Sequence, residues 1–238
     1  MPDDDRTLPT SGSSQADVDA FLRKVASAPS YKASGERGRL MFGMDATASR
    51  QPTWDRACQI QAQMFEATAA LGGLDVQLVF YRGFRECRAS PWVSNARDLL
   101  SRMTAVTCLG GQTQIGRVLA HAIKETGRNR VNALVFVGDC MEEDVDRLCH
   151  HAGELGLLNV PVFMFHEGGE PVARNAFRQI ARLSGGAYCP FDASSAQQLK
   201  DLLSAVAVFA AGGRPALEDY GRGKAEAVRQ LTSQMGRR

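Results

Sequence analysis

Short runs that are apolar at nearly every position alternate along this chain with longer stretches whose apolar residues recur every three or four positions. The short runs are Leu40 to Met44, Val76 to Tyr81, Ala133 to Val137 and Val160 to Phe165. Strands apolar on both sides belong in a sheet covered on both faces, which means parallel strands with helices above and below. The longer stretches carry helical stripes: Ile115, Val118, Leu119, Ala122 and Ile123; then Val145, Leu148, Ala152 and Leu155; then Leu199, Leu202, Leu203 and Val206. Their spacing puts each set on one helix face. Strands alternating with helices predict a doubly wound, mostly parallel α/β sheet with helices on both faces.

One edge breaks the pattern. Asp75 to Tyr81 and Phe84 to Ala89 are separated only by Arg82-Gly83, a hairpin spacing, so one edge strand is expected to be antiparallel. Residues 1 to 14 are rich in Pro, Ser, Thr and Asp and read as a disordered tail. A helical extension is expected over 15–34. Ser14 stands as N-cap, Val18, Phe21, Leu22 and Val25 share a face, and the helix ends before Pro29. The domain proper is expected over 35–210. After Ala211, Gly212-Gly213-Arg214-Pro215 opens a polar segment, and 211–238 reads as a mobile, weakly helical basic tail.

Composition narrows the function. The 238 residues carry a formal net charge of +2, too near balance to argue for a nucleic-acid or membrane partner. The basic stretch from Arg222 to Arg238 is interrupted by Glu226 and reads as a solvated helix face. The N-terminus, Met1-Pro2-Asp3-Asp4-Asp5, is not that of a secretory signal. No apolar run approaches the roughly 18 residues of a membrane span. The expected location is the cytoplasm. The six cysteines form no CxxC pair and read as reduced thiols.

Ligands of parallel α/β sheets bind at the carboxyl ends of the strands. The first apolar run is followed by Asp45-Ala46-Thr47-Ala48-Ser49, and the run ending at Val137 by Gly138-Asp139. Gly110-Gly111-Gln112-Thr113 precedes the helical stripe that begins at Ile115. Two carboxylates and three hydroxyls are hard oxygen donors suited to Mg²⁺ or Mn²⁺, ions that take six oxygens and keep several waters. The alternation Asp45-x-Thr47-x-Ser49 lets one loop turn three side chains toward one point.

These three segments, in this order, resemble the metal-ion-dependent adhesion site (MIDAS) of von Willebrand factor A domains, a Rossmann-like fold; the resemblance covers roughly residues 35 to 210. It implies that Thr47 and Ser49 supply hydroxyl ligands, that Thr113 joins when a ligand is engaged, and that Asp45 and Asp139 hold the metal directly or through water. It also implies that an Asp or Glu of a protein partner fills the remaining position, so that the chain is a binding module and not an enzyme. Intracellular bacterial members of the family often work beside AAA+ ATPases or in stress systems, which makes such an ATPase an expected partner. Two departures stand out. Arg50 places a cation beside the loop, where it weakens metal binding or steers an acidic partner. Cys140, Met141, Glu142 and Glu143 follow Asp139 where the family commonly has Gly, and the two glutamates sit where acids favour a helix N-terminus.

Two other readings compete. A phosphatase of the haloacid-dehalogenase type would use Asp45 as nucleophile, but such enzymes resemble Asp-x-Asp, and Thr47 cannot replace the second acid. In a structural domain the metal site would be vestigial. Gly110 to Thr113 lacks the Gly-Lys-Ser/Thr ending of a phosphate-binding loop. Trp54 is expected to be a packing anchor, His121 a surface or satisfied helix histidine, and His166, which ends a strand at the carboxyl edge, a loop histidine without partners.

Overall fold

A computed structural model describes residues 19–20, 23–24, 37–71, 73–191 and 196–224. Asp19, Ala20, Arg23 and Lys24 are helical. The tail 1–14, the remaining positions of that helix, and 225–238 lie outside the described residues.

Among the described residues the sheet has six strands. The chain runs β1 (Gly38–Asp45), α1 (Gln51–Ile60), α2 (Ala62–Thr68), β2 (Leu74–Arg82), β3 (Glu86–Ala89), α3 (Ala96–Thr104), α4 (Ile115–Arg128), β4 (Ala133–Gly138), α5 (Val145–Leu157), β5 (Val162–Glu167), α6 (Pro171–Leu183), β6 (Tyr188–Phe191) and α7 (Ala196–Lys224). Short 3₁₀ turns at Ala48–Arg50 and Ala69–Leu71 precede α1 and follow α2. The strand order is β3-β2-β1-β4-β5-β6. All neighbours are parallel except β2 and β3. The expected antiparallel edge strand is therefore present, with a longer loop than Arg82-Gly83 suggested. Arg82 pairs with Glu86, so Gly83, Phe84 and Arg85 form the tip, and Gly83 turns the chain at φ +58°.

Successive residues of a strand face opposite sides, and the two cores follow that rule. Leu40, Phe42 and Met44 join Val76, Leu78, Val135, Val137, Phe163 and Phe165 beneath α1, α2, α3 and α7. Met41 joins Val79, Leu134, Phe136, Val162 and Met164 beneath α4, α5 and α6. Trp54 is the expected packing anchor: it is buried, and its indole N–H donates to the Met103 carbonyl at 3.0 Å, tying α1 to α3. Pro190 sits in β6, where an edge strand tolerates a residue that cannot donate to the ladder.

The last helix passes the boundary expected at 210. It runs to Lys224 with one interruption at Gly213, whose φ of +70° a side chain would disfavour; Pro215 lies just beyond. Ala211 and Leu217 are buried in the first core, so burial holds this segment helical despite its glycines and proline. Among the described residues no helix is long and apolar enough to cross a membrane.

Helix α5, which leads away from the Asp139 loop, begins on a side-chain cap. The Asp144 carboxylate accepts from the backbone N–H of Asp146 at 2.9 Å and of Arg147 at 3.1 Å. Asp144→Ala should lower stability by about 1 kcal/mol in urea unfolding, and Asp144→Ser should recover most of it. Equal midpoints for all three proteins would show that the cap contributes nothing.

Candidate metal centre

Strand order reverses between β1 and β4, and this switch point is where doubly wound sheets open a crevice at their carboxyl ends. Met44 pairs with Val137, so Asp45 ends one strand next to the point where Gly138 and Asp139 leave the other. Ligand atoms of Asp45, Asp139 and Cys140 all lie within 4.8 Å of one another.

Asp45 is buried. Its Oδ1 accepts from the Thr47 backbone N–H at 2.7 Å, which fixes the loop, while Oδ2 is buried without a hydrogen-bond partner. Asp139 is only partly buried, yet its Oδ1 is also buried and unpartnered. Two unit charges this close repel by about 3 kcal/mol at an effective dielectric near 20. Burial raises the Asp45 carboxyl above its ordinary value; hydrogen bonds from Thr47 oppose the rise, and the Asp139 charge adds to it. Burial also pushes up the neighbouring Tyr81 phenol, with the Asp45 charge next in importance. Two buried carboxylate oxygens without hydrogen-bond partners, on acids whose ligand atoms come within 4.8 Å of one another, are what a cation would satisfy; the buried Tyr81 hydroxyl beside Asp45 is without a partner too.

The other expected residues lie on loops at this edge of the sheet, and one of them touches the pair. Ser49 is exposed and donates to Asp139 Oδ2 at 3.3 Å. Thr47 is buried, one residue ahead of the 3₁₀ turn that carries Ser49. Thr113 reaches the same edge through a clasp with the loop after β4. Its hydroxyl accepts from the Glu142 N–H at 3.0 Å, and its own N–H donates to Glu142 Oε2 at 3.3 Å. Glu143 accepts from the N–H of Ile115 at 2.5 Å and of Gly116 at 3.0 Å. The acids after Asp139 thus serve a helix N-terminus as expected, but that of α4 and not of their own helix, whose cap is Asp144.

Three residues differ from their sequence reading. Arg50 is buried, with 3% of its side chain exposed, so it does not steer a partner. It forms an ion pair with Glu167, which also accepts from the Thr53 hydroxyl, and approaches Asp139 Oδ2 at 3.6 Å. His166 does end a strand, but it is not without partners: it is fully buried in β5, 3.1 Å from the Asp139 carbonyl and 3.0 Å from the Tyr188 hydroxyl. Burial lowers its pKa, opposed by its contact with the Asp139 backbone. Cys140 was not expected near the site. Burial, then the Asp139 charge, push its thiol up to about 12. Its adjacency to Asp139 was the only sequence signal available. His121 is satisfied as expected, 3.0 Å from Gln77.

Three carboxylates, Asp45, Asp139 and Glu167, against one guanidinium, Arg50, leave two formal negative charges when all are ionised. One divalent cation would neutralise them. The donor set fits Mg²⁺ or Mn²⁺ through its oxygens, and the Cys140 sulfur adds a donor that favours Zn²⁺.

The strand order, the single antiparallel edge strand and the carboxylates at the switch point define a von Willebrand factor A fold. Solved structures bear this out. The SpRpn10 VWA domain matches with a TM-score of 0.54 at 15% identity, over 71% of this chain and 94% of that one. Proximal thread matrix protein 1 from the mussel byssus, solved with a zinc-occupied MIDAS motif, matches at 0.55 and 15%, over 75% of this chain and 48% of that one. The PilB minor pilin from Streptococcus sanguinis matches at 0.55 and 10%, over 82% and 65%. The chain thus spans about half of the byssus protein structure. No protein-family model and no curated protein matches the sequence.

Arg50→Met should leave Glu167, whose side chain is only 14% exposed, without its cation. The expected cost is about 3 kcal/mol in denaturant unfolding. Arg50→Met/Glu167→Leu should recover much of that loss, and a double mutant no more stable than Arg50→Met would contradict the pairing.

Proposed function

We propose that this chain is a protein-binding module whose divalent metal, held by Asp45, Thr47, Ser49, Thr113 and Asp139, takes an Asp or Glu of a partner as its last ligand. The observation that carries the reading is the pair of acids at the switch point, whose ligand atoms come within 4.8 Å of one another and each of which has a buried, unpartnered oxygen, Asp45 Oδ2 and Asp139 Oδ1. A fold that kept them only for structure would gain by replacing at least one with a neutral side chain. Three of the five donors are neutral hydroxyls, so a six-coordinate ion keeps a position for an outside carboxylate. Mg²⁺ and Mn²⁺ suit the oxygens. An AAA+ ATPase is the partner class to try first, on the strength of the motif's resemblance, and the cytoplasm is the setting in which to look.

The reading is non-enzymatic. A phosphatase working through Asp45 needs a second acid two residues on, and Thr47 stands there with its N–H committed to Asp45.

Titration calorimetry with Mg²⁺, Mn²⁺ and Zn²⁺ should show one saturable site in the wild type and none in Asp45→Ala/Asp139→Ala. In chelator, Asp45→Asn should melt above the wild type, because it removes a buried like-charge repulsion. With ion at a hundred times its dissociation constant the wild type should gain about 2.7 kcal/mol while Asp45→Asn gains little. Identical melting of the two proteins with and without ion would assign the loop a structural role. Capture of a partner from lysate should require the ion, and a partner held equally in chelator would remove the metal from the mechanism.

A further inference from the structure

We propose that the β2–β3 hairpin tip at Phe84 and the loop at Leu109 form a second recognition element, which takes the apolar side chain of an acidic segment whose Asp or Glu reaches the metal. This rests on the metal-dependent reading above and deepens it by specifying what flanks the partner's acid.

Phe84 is 73% exposed at the apex of a three-residue tip, and Leu109 is 45% exposed. Turn tips favour small polar residues, so an aromatic ring there has no use in making the turn. Backbone hydrogen bonds join both residues' loops to the metal loop. Leu109 N–H donates to the Ala46 carbonyl at 3.0 Å, between Asp45 and Thr47, and the Gly83 N–H donates to the Leu109 carbonyl at 3.5 Å. Gln112 N–H and the Gln114 side chain both donate to the Gly83 carbonyl at 3.2 Å, and Arg117 donates to the Arg85 carbonyl at 2.5 Å. A β-carbon at Gly111 would lie 2.0 Å from the Gly83 carbonyl oxygen, so the loops pack backbone to backbone. The tip is therefore held beside the metal loop in advance of binding, as a rigid anchor should be.

Charge selects the partner. From Arg82 to Arg88 the hairpin carries three arginines against Glu86 alone, and Arg85 and Arg88 are exposed. A cation in the crevice and exposed guanidiniums on the hairpin both favour an acidic segment. The exposed Phe84 and Leu109 side chains favour one with an aromatic or aliphatic residue near its acid.

The test pans a phage-displayed library of random short peptides on the full chain in Mn²⁺ and elutes with chelator. Selected peptides should share an Asp or Glu beside an aromatic or aliphatic residue. Phe84→Ser should weaken them by about tenfold or more while leaving Mn²⁺ affinity unchanged. Leu157→Ser, which removes an 86% exposed leucine at the far end of α5, should change neither. Selection of acidic peptides without an apolar neighbour, or undiminished binding by Phe84→Ser, would overturn the second element and leave the metal reading standing. Recovery of no chelator-released peptide, together with a flat Mn²⁺ titration, would overturn both.

Discussion

The site depends on β1 lying parallel to and directly beside β4. That pairing buries Leu40, Phe42, Val135 and Val137 in one core and Met41, Leu134 and Phe136 in the other. It also makes the two strands end together, so that Asp45 and Asp139 emerge at the same edge. Apolar burial on both faces of the sheet drives the pairing, and the approach of two like charges is its consequence. The free energy that holds these carboxylates together is therefore spread over the whole sheet, and local interactions have only to aim them.

Aiming is divided between the two acids. Asp45 is fixed by its own loop, through the Thr47 N–H, with one oxygen left free. Asp139 is fixed from outside its loop: His166 contacts its carbonyl, while Ser49 and Arg50 reach its Oδ2. Arg50 comes from the 3₁₀ turn after β1 and Glu167 from the end of β5. The ion pair between them thus spans the crevice beneath Asp139 and ties three strand ends together. Glu167 holds the guanidinium more closely than Asp139 does, so Arg50 offsets the site's negative charge without filling it. This explains how a cation sits beside a candidate metal site without closing it.

Much of this was legible in the sequence because it depends on residue type and order. Runs apolar on both sides gave β1, β2, β4 and β5, and the hydroxyl and carboxylate motifs fell at strand ends where the switch point requires them. Elements with weaker periodic signals were not legible. Three of the five buried residues of α6 are alanines, and α3 buries only Leu99 and Met103. Strand β6 has four residues, one of them Pro190. The directions of Arg50 and His166 follow from tertiary packing: an arginine after a metal loop looks like a surface charge until Glu167, over a hundred residues away in sequence, is brought to meet it.

The same packing bears on whether the site is retained for function. Several polar groups of the metal loop and its surroundings have partners within the fold: the Thr47 N–H donates to Asp45, Thr113 and Glu142 hold each other, and Glu143 caps α4. Against that background Oδ2 of Asp45 and Oδ1 of Asp139 are buried without hydrogen-bond partners, as are the neighbouring Tyr81 hydroxyl and Arg50 Nε. Buried polar atoms without partners oppose folding, and local strain and frustration gather where a protein must leave valences open for something else. A vestigial site would relax toward internal satisfaction, with a serine or asparagine in place of one acid. Here both positions are acids, and the loop after Asp139 is clasped to Thr113 and the start of α4, an arrangement suited to a centre completed from outside.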